Sequence, residues 1–243
     1  MRVYTSCVEM LDETYRELWK RSQRIQDSTV QGKKIESDDY EQKEIMFYNY
    51  RVDNFDDLSE MLDKAKEISG KEHLTMETAE AWFKDMVSNE TLKENWWDLH
   101  ESTKAYYKKF CSENEKGESA YSYGERIIPQ LQHVINRFKG NTYCRGAQIL
   151  MGKLTDAERV GRRVPCTISY HFIARPTLDG DRLNLILTQR SGDLMNFFPL
   201  DFAKAVLLLK HIAKETGIKP GYIIHSINSL HVYAIDYPKQ YTW

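Results

Sequence analysis

Three features of the chain predict an α/β fold, one domain over residues 1–243 with helices packed on a mixed β-sheet. Near the N-terminus, apolar residues recur at the helical period. In the second half, runs rich in β-branched and aromatic residues are interspersed with helical stretches rather than strictly alternating with them. No internal repeat overlies either pattern.

Val8 to about Arg24 reads as an amphipathic helix, because Val8, Met10, Leu11, Tyr15, Leu18 and Trp19 share one face. Residues 27–42 are polar and irregular, an exposed loop. Ile45 to Val52 reads as a strand. Two or three helices follow between Phe55 and Cys111, with loop signals at Ser69-Gly70 and Ser88-Asn89. Their aromatic stripe (Trp82, Phe83, Trp96, Trp97, Tyr106, Tyr107) reads as core. Gly124 to Phe138 is expected as a helix, and Ala147–Met151, Pro165–Arg175 and Leu183–Gln189 as strands. Phe202 to Thr216 reads as an Ala- and Leu-rich helix stopped by Gly217, with Pro220 just beyond. Tyr222–Ile227 and Leu230–Ile235 complete the strand set.

Composition excludes several function classes. Lys+Arg 34 nearly balance Asp+Glu 36, a net charge of -2, without the basic excess of a nucleic-acid groove. No apolar run approaches membrane-spanning length, and the N-terminal residues turn acidic before a signal-peptide core can form. The expectation is a cytoplasmic protein with no membrane or nucleic-acid partner. Cys7, Cys111, Cys144 and Cys166 stand too far apart for a Cys-x-x-Cys metal or redox motif, so no metal site is expected and the thiols read as reduced.

Chemistry concentrates at a few positions. Cys166 follows Arg162, Arg163, Val164 and Pro165 at the start of a strand, and a nucleophilic thiol needs cationic neighbours. The alternative is a buried cysteine acting as a small apolar residue. A protease-like pairing with His171 fails, since residues five apart on a strand face opposite sides and lie roughly 16 Å apart. Gln189-Arg190-Ser191-Gly192-Asp193 leaves the next strand as an anion seat or an ordinary turn. His231 and Tyr233 share a strand face and either grip a sugar hydroxyl or face solvent.

In this order the motifs resemble the thymidylate synthase and deoxycytidylate hydroxymethylase family, the short phage and archaeal members above all. The resemblance rests on Tyr121-Ser122-Tyr123-Gly124-Glu125-Arg126, Asn141-Thr142-Tyr143-Cys144-Arg145, Val164-Pro165-Cys166, the Gln189–Asp193 pentad, Pro199-Leu200-Asp201, Lys219-Pro220-Gly221 and Ser229-Leu230-His231-Val232-Tyr233. It implies that Cys166 adds to C6 of a pyrimidine nucleotide, so that C5 can attack the one-carbon unit of the cosubstrate 5,10-methylenetetrahydrofolate. Arg190, Ser191 and Gln189 would serve the nucleotide, His231 and Tyr233 the deoxyribose, Asp193 the folate, and Tyr123 the C5 proton. Arg145 would reach the phosphate from the partner subunit of a homodimer.

Two departures stand out. The family's paired arginines are reduced to Cys144-Arg145, leaving Lys33, Lys34, Arg162 or Arg163 to replace one phosphate contact. The catalytic glutamate, which precedes a tryptophan, falls on Glu80, with Glu77 as the alternative. Asp201 stands where thymidylate synthases carry Asn. A carboxylate can accept from N4 of cytosine, and a protonated one can donate to N3. Asp201 therefore reads as a cytosine reader, or as an N-cap of the Phe202 helix. The expected activity is dCMP hydroxymethylation. The alternatives are thymidylate synthesis from dUMP, dCMP C5-methylation, or a catalytically silent nucleotide- or RNA-binding relative.

Overall fold

The structure, a computed structural model, describes residues 1–26, 29–30, 33–34, 41–88, 122–158 and 164–238. Its elements in chain order are β1 (Arg2–Tyr4), α1 (Cys7–Arg21), β2 (Gln23–Gln26), β3 (Thr29–Val30), β4 (Lys33–Lys34), β5 (Glu41–Val52), α2 (Leu58–Ser69) and α3 (Met76–Val87). Then come α4 (Tyr123–Gly140), β6 (Ala147–Leu150), β7 (Thr167–Thr177), β8 (Gly180–Gln189), β9 (Gly192–Asp193), α5 (Phe198–Thr216) and β10 (Lys219–Tyr233).

The expected α/β class with a mixed sheet is what the chain adopts. The main sheet runs β1-β5-β10-β8-β7-β6, with β2 alongside β5 and β9 alongside β10. β10 is its axis, antiparallel to β5 and parallel to β8, while β8–β7 and β7–β6 are antiparallel. β10 forms one continuous strand where the sequence suggested two. Ser229, which with Asn228 read as a break, instead hydrogen-bonds to Glu44 on β5, as Ser226 does to Asn49. A register shift between Pro220 and Ile223 takes up the irregularity.

α1 ends at Arg21, and Gln23–Gln26 pairs with Gln42–Glu44 and Glu41 as β2, so the expected helix is shorter and part of the expected loop is strand. Ser6 caps α1 by accepting from the Glu9 amide. α5 is the central helix. It packs on α2, α3, α4, β8 and β10, which is why apolar residues cover nearly its whole circumference. It begins at Phe198, four residues before the expected start, because Pro199 fits the first turn. It stops at Gly217 in the left-handed conformation, as expected. At the start of α4, Gly124 lies so close to α3 that a Cβ there would collide with the Asp85 carbonyl oxygen. This approach seats Tyr123 against Trp82, their rings edge to face at 5.6 Å.

Candidate active site

The ends of β7 and β8 bring Cys166 and Arg190 together. The Arg190 amide donates to the Cys166 carbonyl (2.8 Å), fixing the two chains side by side. The Arg190 guanidinium then folds back over the thiol. Nε donates to the Pro165 carbonyl (3.1 Å), and Nη2 donates to the Val164 carbonyl (3.0 Å) and to the Cys166 sulfur (3.7 Å). Ser191 Oγ donates to the same sulfur at 3.5 Å and accepts from Arg190 Nη1 at 3.2 Å. Cys166 is half-buried and reachable. Its cationic neighbour is Arg190, whereas Arg162 and Arg163 lie outside the described residues. With five guanidinium N–H donors and four engaged, one Nη1 proton remains for an incoming anion. Gly192 is not needed for clearance, since a Cβ there would meet Ile227 at an ordinary 3.4 Å.

Behind this rim lies a buried chain of polar groups. Gln189 Nε2 donates to Asp201 Oδ2 (2.9 Å), and its Oε1 faces His225 Nε2 (2.8 Å). His225 Nδ1 faces the Tyr50 hydroxyl (2.7 Å). Burial pushes the His225 imidazole down to about 3, so the ring is neutral. With its amide nitrogen given to Asp201, Gln189 offers Oε1 to a proton on His225 Nε2, and the bare Nδ1 of the neutral ring then accepts from the Tyr50 hydroxyl. Thr167 Oγ1 joins the chain sideways, near both Gln189 Nε2 (3.4 Å) and the Tyr123 hydroxyl (3.3 Å).

Asp201 is not the N-cap that was one reading of it. Phe197 occupies the cap position, and Asp201 lies inside the first turn with its side chain turned to Gln189 and Lys204. Lys204 Nζ sits 2.7 Å from Asp201 Oδ1, fully buried. Its other surroundings are rings, with Nζ 2.9 Å from the Trp82 centroid and 4.3 Å from that of Tyr123. Sequence reasoning passed over Lys204, Tyr50, Thr167 and His225 as site residues. A usable signal existed for Lys204, a lone cation within the apolar run Phe202–Leu209 on a helix read as rich in Ala and Leu.

The remaining expected residues divide. Asp193 is buried and accepts from the Met195 and Asn196 amides (3.3 and 3.2 Å) and from Asn196 Nδ2 (3.0 Å). Asn196 Nδ2 also donates to Asp236 (2.8 Å), which is ion-paired with Lys71 at 2.5 Å. Burial, with the Asp236 carboxylate nearby, pushes Asp193 up to about 7. His231 and Tyr233 are buried rather than solvent-facing, their rings edge to face at 5.1 Å. His231 pairs in register with Asp193 of β9, two residues after Ser191.

Glu80 and Glu77 lie on the exposed side of α3, opposite Ala79 and Trp82, and neither contacts the Cys166 group among the described residues. Arg145 is exposed before β6. Its carbonyl faces His171 Nε2 (2.8 Å), and its guanidinium meets no group of this rim among the described residues. Tyr121 and the side chains of Lys33 and Lys34 are outside the described residues. No cluster of metal-ligating side chains occurs among the described residues, and none of their helices is long and apolar enough to cross a membrane.

These features describe an α/β domain in which a half-buried thiol lies against a guanidinium and a hydroxyl at the ends of two paired strands. The chain belongs to the thymidylate synthase family, whose family model, described as Thymidylate synthase, matches residues 51–241. The thymidylate synthase of Mycoplasma genitalium is 33% identical over 106 residues, 44% of this chain and 35% of that protein. The Mycoplasma pneumoniae thymidylate synthase matches with the same identity and coverage. A Methanococcoides burtonii protein provisionally named thymidylate synthase is 28% identical over 161 residues, 64% of this chain and 71% of that protein. The match thus spans about a third of the length of the two Mycoplasma proteins.

Proposed function

We propose that this protein transfers a one-carbon unit from 5,10-methylenetetrahydrofolate to C5 of a pyrimidine deoxynucleotide, and that its reaction is conversion of dCMP to 5-hydroxymethyl-dCMP. The observation that carries the choice of base is Asp201, a buried carboxylate where thymidylate synthases have Asn. Each base gives a carboxylate one donor and one opposing lone pair, but on cytosine the opposing atom is N3, which can take a proton, whereas on uracil it is the carbonyl O4.

In this reading Cys166 adds as the thiolate to C6, with the Arg190 guanidinium beside it as the cationic neighbour. C5, now electron-rich, forms its bond to the folate-borne carbon and gives up its proton through Tyr123. The bond between that carbon and the folate nitrogen then breaks, tetrahydrofolate leaves with the electron pair and a proton, and an exocyclic methylene remains on C5. Water adds to the methylene as hydroxyl, giving up a proton, and Cys166 leaves C6 as the thiolate while C5=C6 re-forms. Ser191 and the unengaged Arg190 proton receive the 5′-phosphate, His231 and Tyr233 the deoxyribose, and Asp193 the folate. Arg145, turned away from its own rim, is assigned to the partner's site in a homodimer. Glu80 keeps its assignment only if α3 turns it inward when ligands bind.

A second reading is thymidylate synthesis from dUMP, favoured by the names of the relatives. Mass spectrometry of dCMP and of dUMP, each incubated with the protein and methylenetetrahydrofolate, separates them. A gain of CH₂O on dCMP is expected. A gain of CH₂ on dUMP with dihydrofolate formed would establish the second reading, and no product from either would point to a silent relative.

A further inference from the structure

Lys204 is the least expected side chain in the molecule. A buried ammonium costs several kcal/mol in desolvation, and a Met of similar shape would fill the same space without that cost. Among the described residues its carboxylate partner is Asp201, and the rings of Trp82 on α3 and Tyr123 on α4 lie against it. Asp201 and Lys204 stand one turn apart on α5, so the helix itself holds the pair in register.

We propose that Lys204 fixes Asp201 as a carboxylate and thereby sets the base the site accepts, favouring cytosine carrying a proton on N3. The inference rests on the reading of Asp201 as the base-facing residue. A neutral carboxyl offers one donor and one acceptor, which matches the N3/N4 edge of cytosine and the N3/O4 edge of uracil equally. An ionised one only accepts. It then leaves one lone pair opposed by either neutral base. On cytosine that conflict disappears when N3 takes a proton from water. Thiolate addition then forms S–C6, shifts the C5=C6 pair to C5=C4, and places the C4=N3 pair on N3, giving a neutral adduct. On uracil the pair goes to O4, toward the carboxylate. Lys204 does not touch the base. It is a positioning residue acting through Asp201.

The charged groups acting on Lys204 among the described residues are Asp201 and, before β7, Cys166. Both favour the ammonium, while burial opposes it and brings Lys204 down to about 8.

The test measures kcat/KM for dCMP and dUMP, with methylenetetrahydrofolate, for the wild type and Lys204→Met from about pH 6 to about pH 9. In wild type the dCMP preference should exceed about tenfold, and in the variant it should fall to within about threefold at neutral pH. A purely structural lysine would change both substrates alike and leave the ratio and its pH dependence intact, and that result overturns the inference while sparing the proposed function. In parallel, ¹³C-carboxyl NMR of aspartate-labelled wild type, with Asp201→Asn for assignment, reads the ionisation directly. A carboxylate signal at neutral pH is expected, and a neutral acid overturns the inference without any variant having to fold well. If wild type turns over neither nucleotide, the proposed function fails and the specificity claim falls with it.

Discussion

The Cys166 rim and the Tyr50–His225–Gln189–Asp201–Lys204 chain lie next to each other and are built on opposite terms. Rim groups are exposed or half-buried, and they spend their donors on main-chain carbonyls and a sulfur that a ligand can displace. The inner chain is 5% exposed or less at every member, and each group meets defined partners from the protein itself. An exchangeable rim suits binding and release of anionic substrate. A fixed inner chain suits discrimination, because a buried polar group that loses its partner costs more than an exposed one. The largest predicted difference follows from this contrast. Cys166→Ala should abolish turnover, while thermal unfolding stays within about 0.5 kcal/mol of wild type, since the thiol is half-buried and its donors can turn to water. A variant that loses turnover only because it unfolds would erase the distinction between the two regions.

Gln189 probes the other side. Gln189→Leu keeps the volume and removes both links, stranding the His225 Nε2 proton and one lone pair of a buried carboxylate. The expected cost is on the order of 3 kcal/mol, read by chemical denaturation, with loss of base discrimination in whatever activity survives. Stability equal to wild type would mean that water replaces the amide and that the inner chain is no more rigid than the rim.

How the two regions read from sequence differs for a physical reason. The rim was legible: Cys166 at a strand start and Arg190-Ser191 at the next strand's end are local signals, and antiparallel pairing of β7 with β8 brings such ends together. Likewise the stop of α5 at Gly217 is written in adjacent residues. The inner chain was legible only in part: Gln189 and Asp201 stood in motifs, but Tyr50 and His225 and the ring contacts of Lys204 come from elements distant in sequence. Tyr50 reaches His225 only through the β5–β10 register, and Lys204 meets Trp82 and Tyr123 only once α3, α4 and α5 pack. Spacing carries no information about such contacts. Glu80 shows the limit of a motif: the family resemblance placed it before Trp82, but two residues along a helix turn the side chain to another face, and Trp82 is buried where Glu80 is exposed.

Asp193 gives the smallest effect and the finest test, because it sits where rim and interior meet. Burial and the Asp236 carboxylate raise it to about 7, far above its ordinary value. The native state therefore holds this proton more tightly than the unfolded chain. Its contribution to stability is full below the unfolded value near 3.8 and is lost as pH rises through about 7. Wild type should melt a few degrees higher near pH 5 than near pH 8 on this account. Asp193→Asn keeps an acceptor for the Met195 and Asn196 amides and removes the titration, so it should flatten the slope between those pH values. If the variant keeps the full wild-type slope, Asp193 is ionised throughout, the Lys71–Asp236 pair dominates that corner, and the group belongs electrostatically with the open rim rather than with the buried interior.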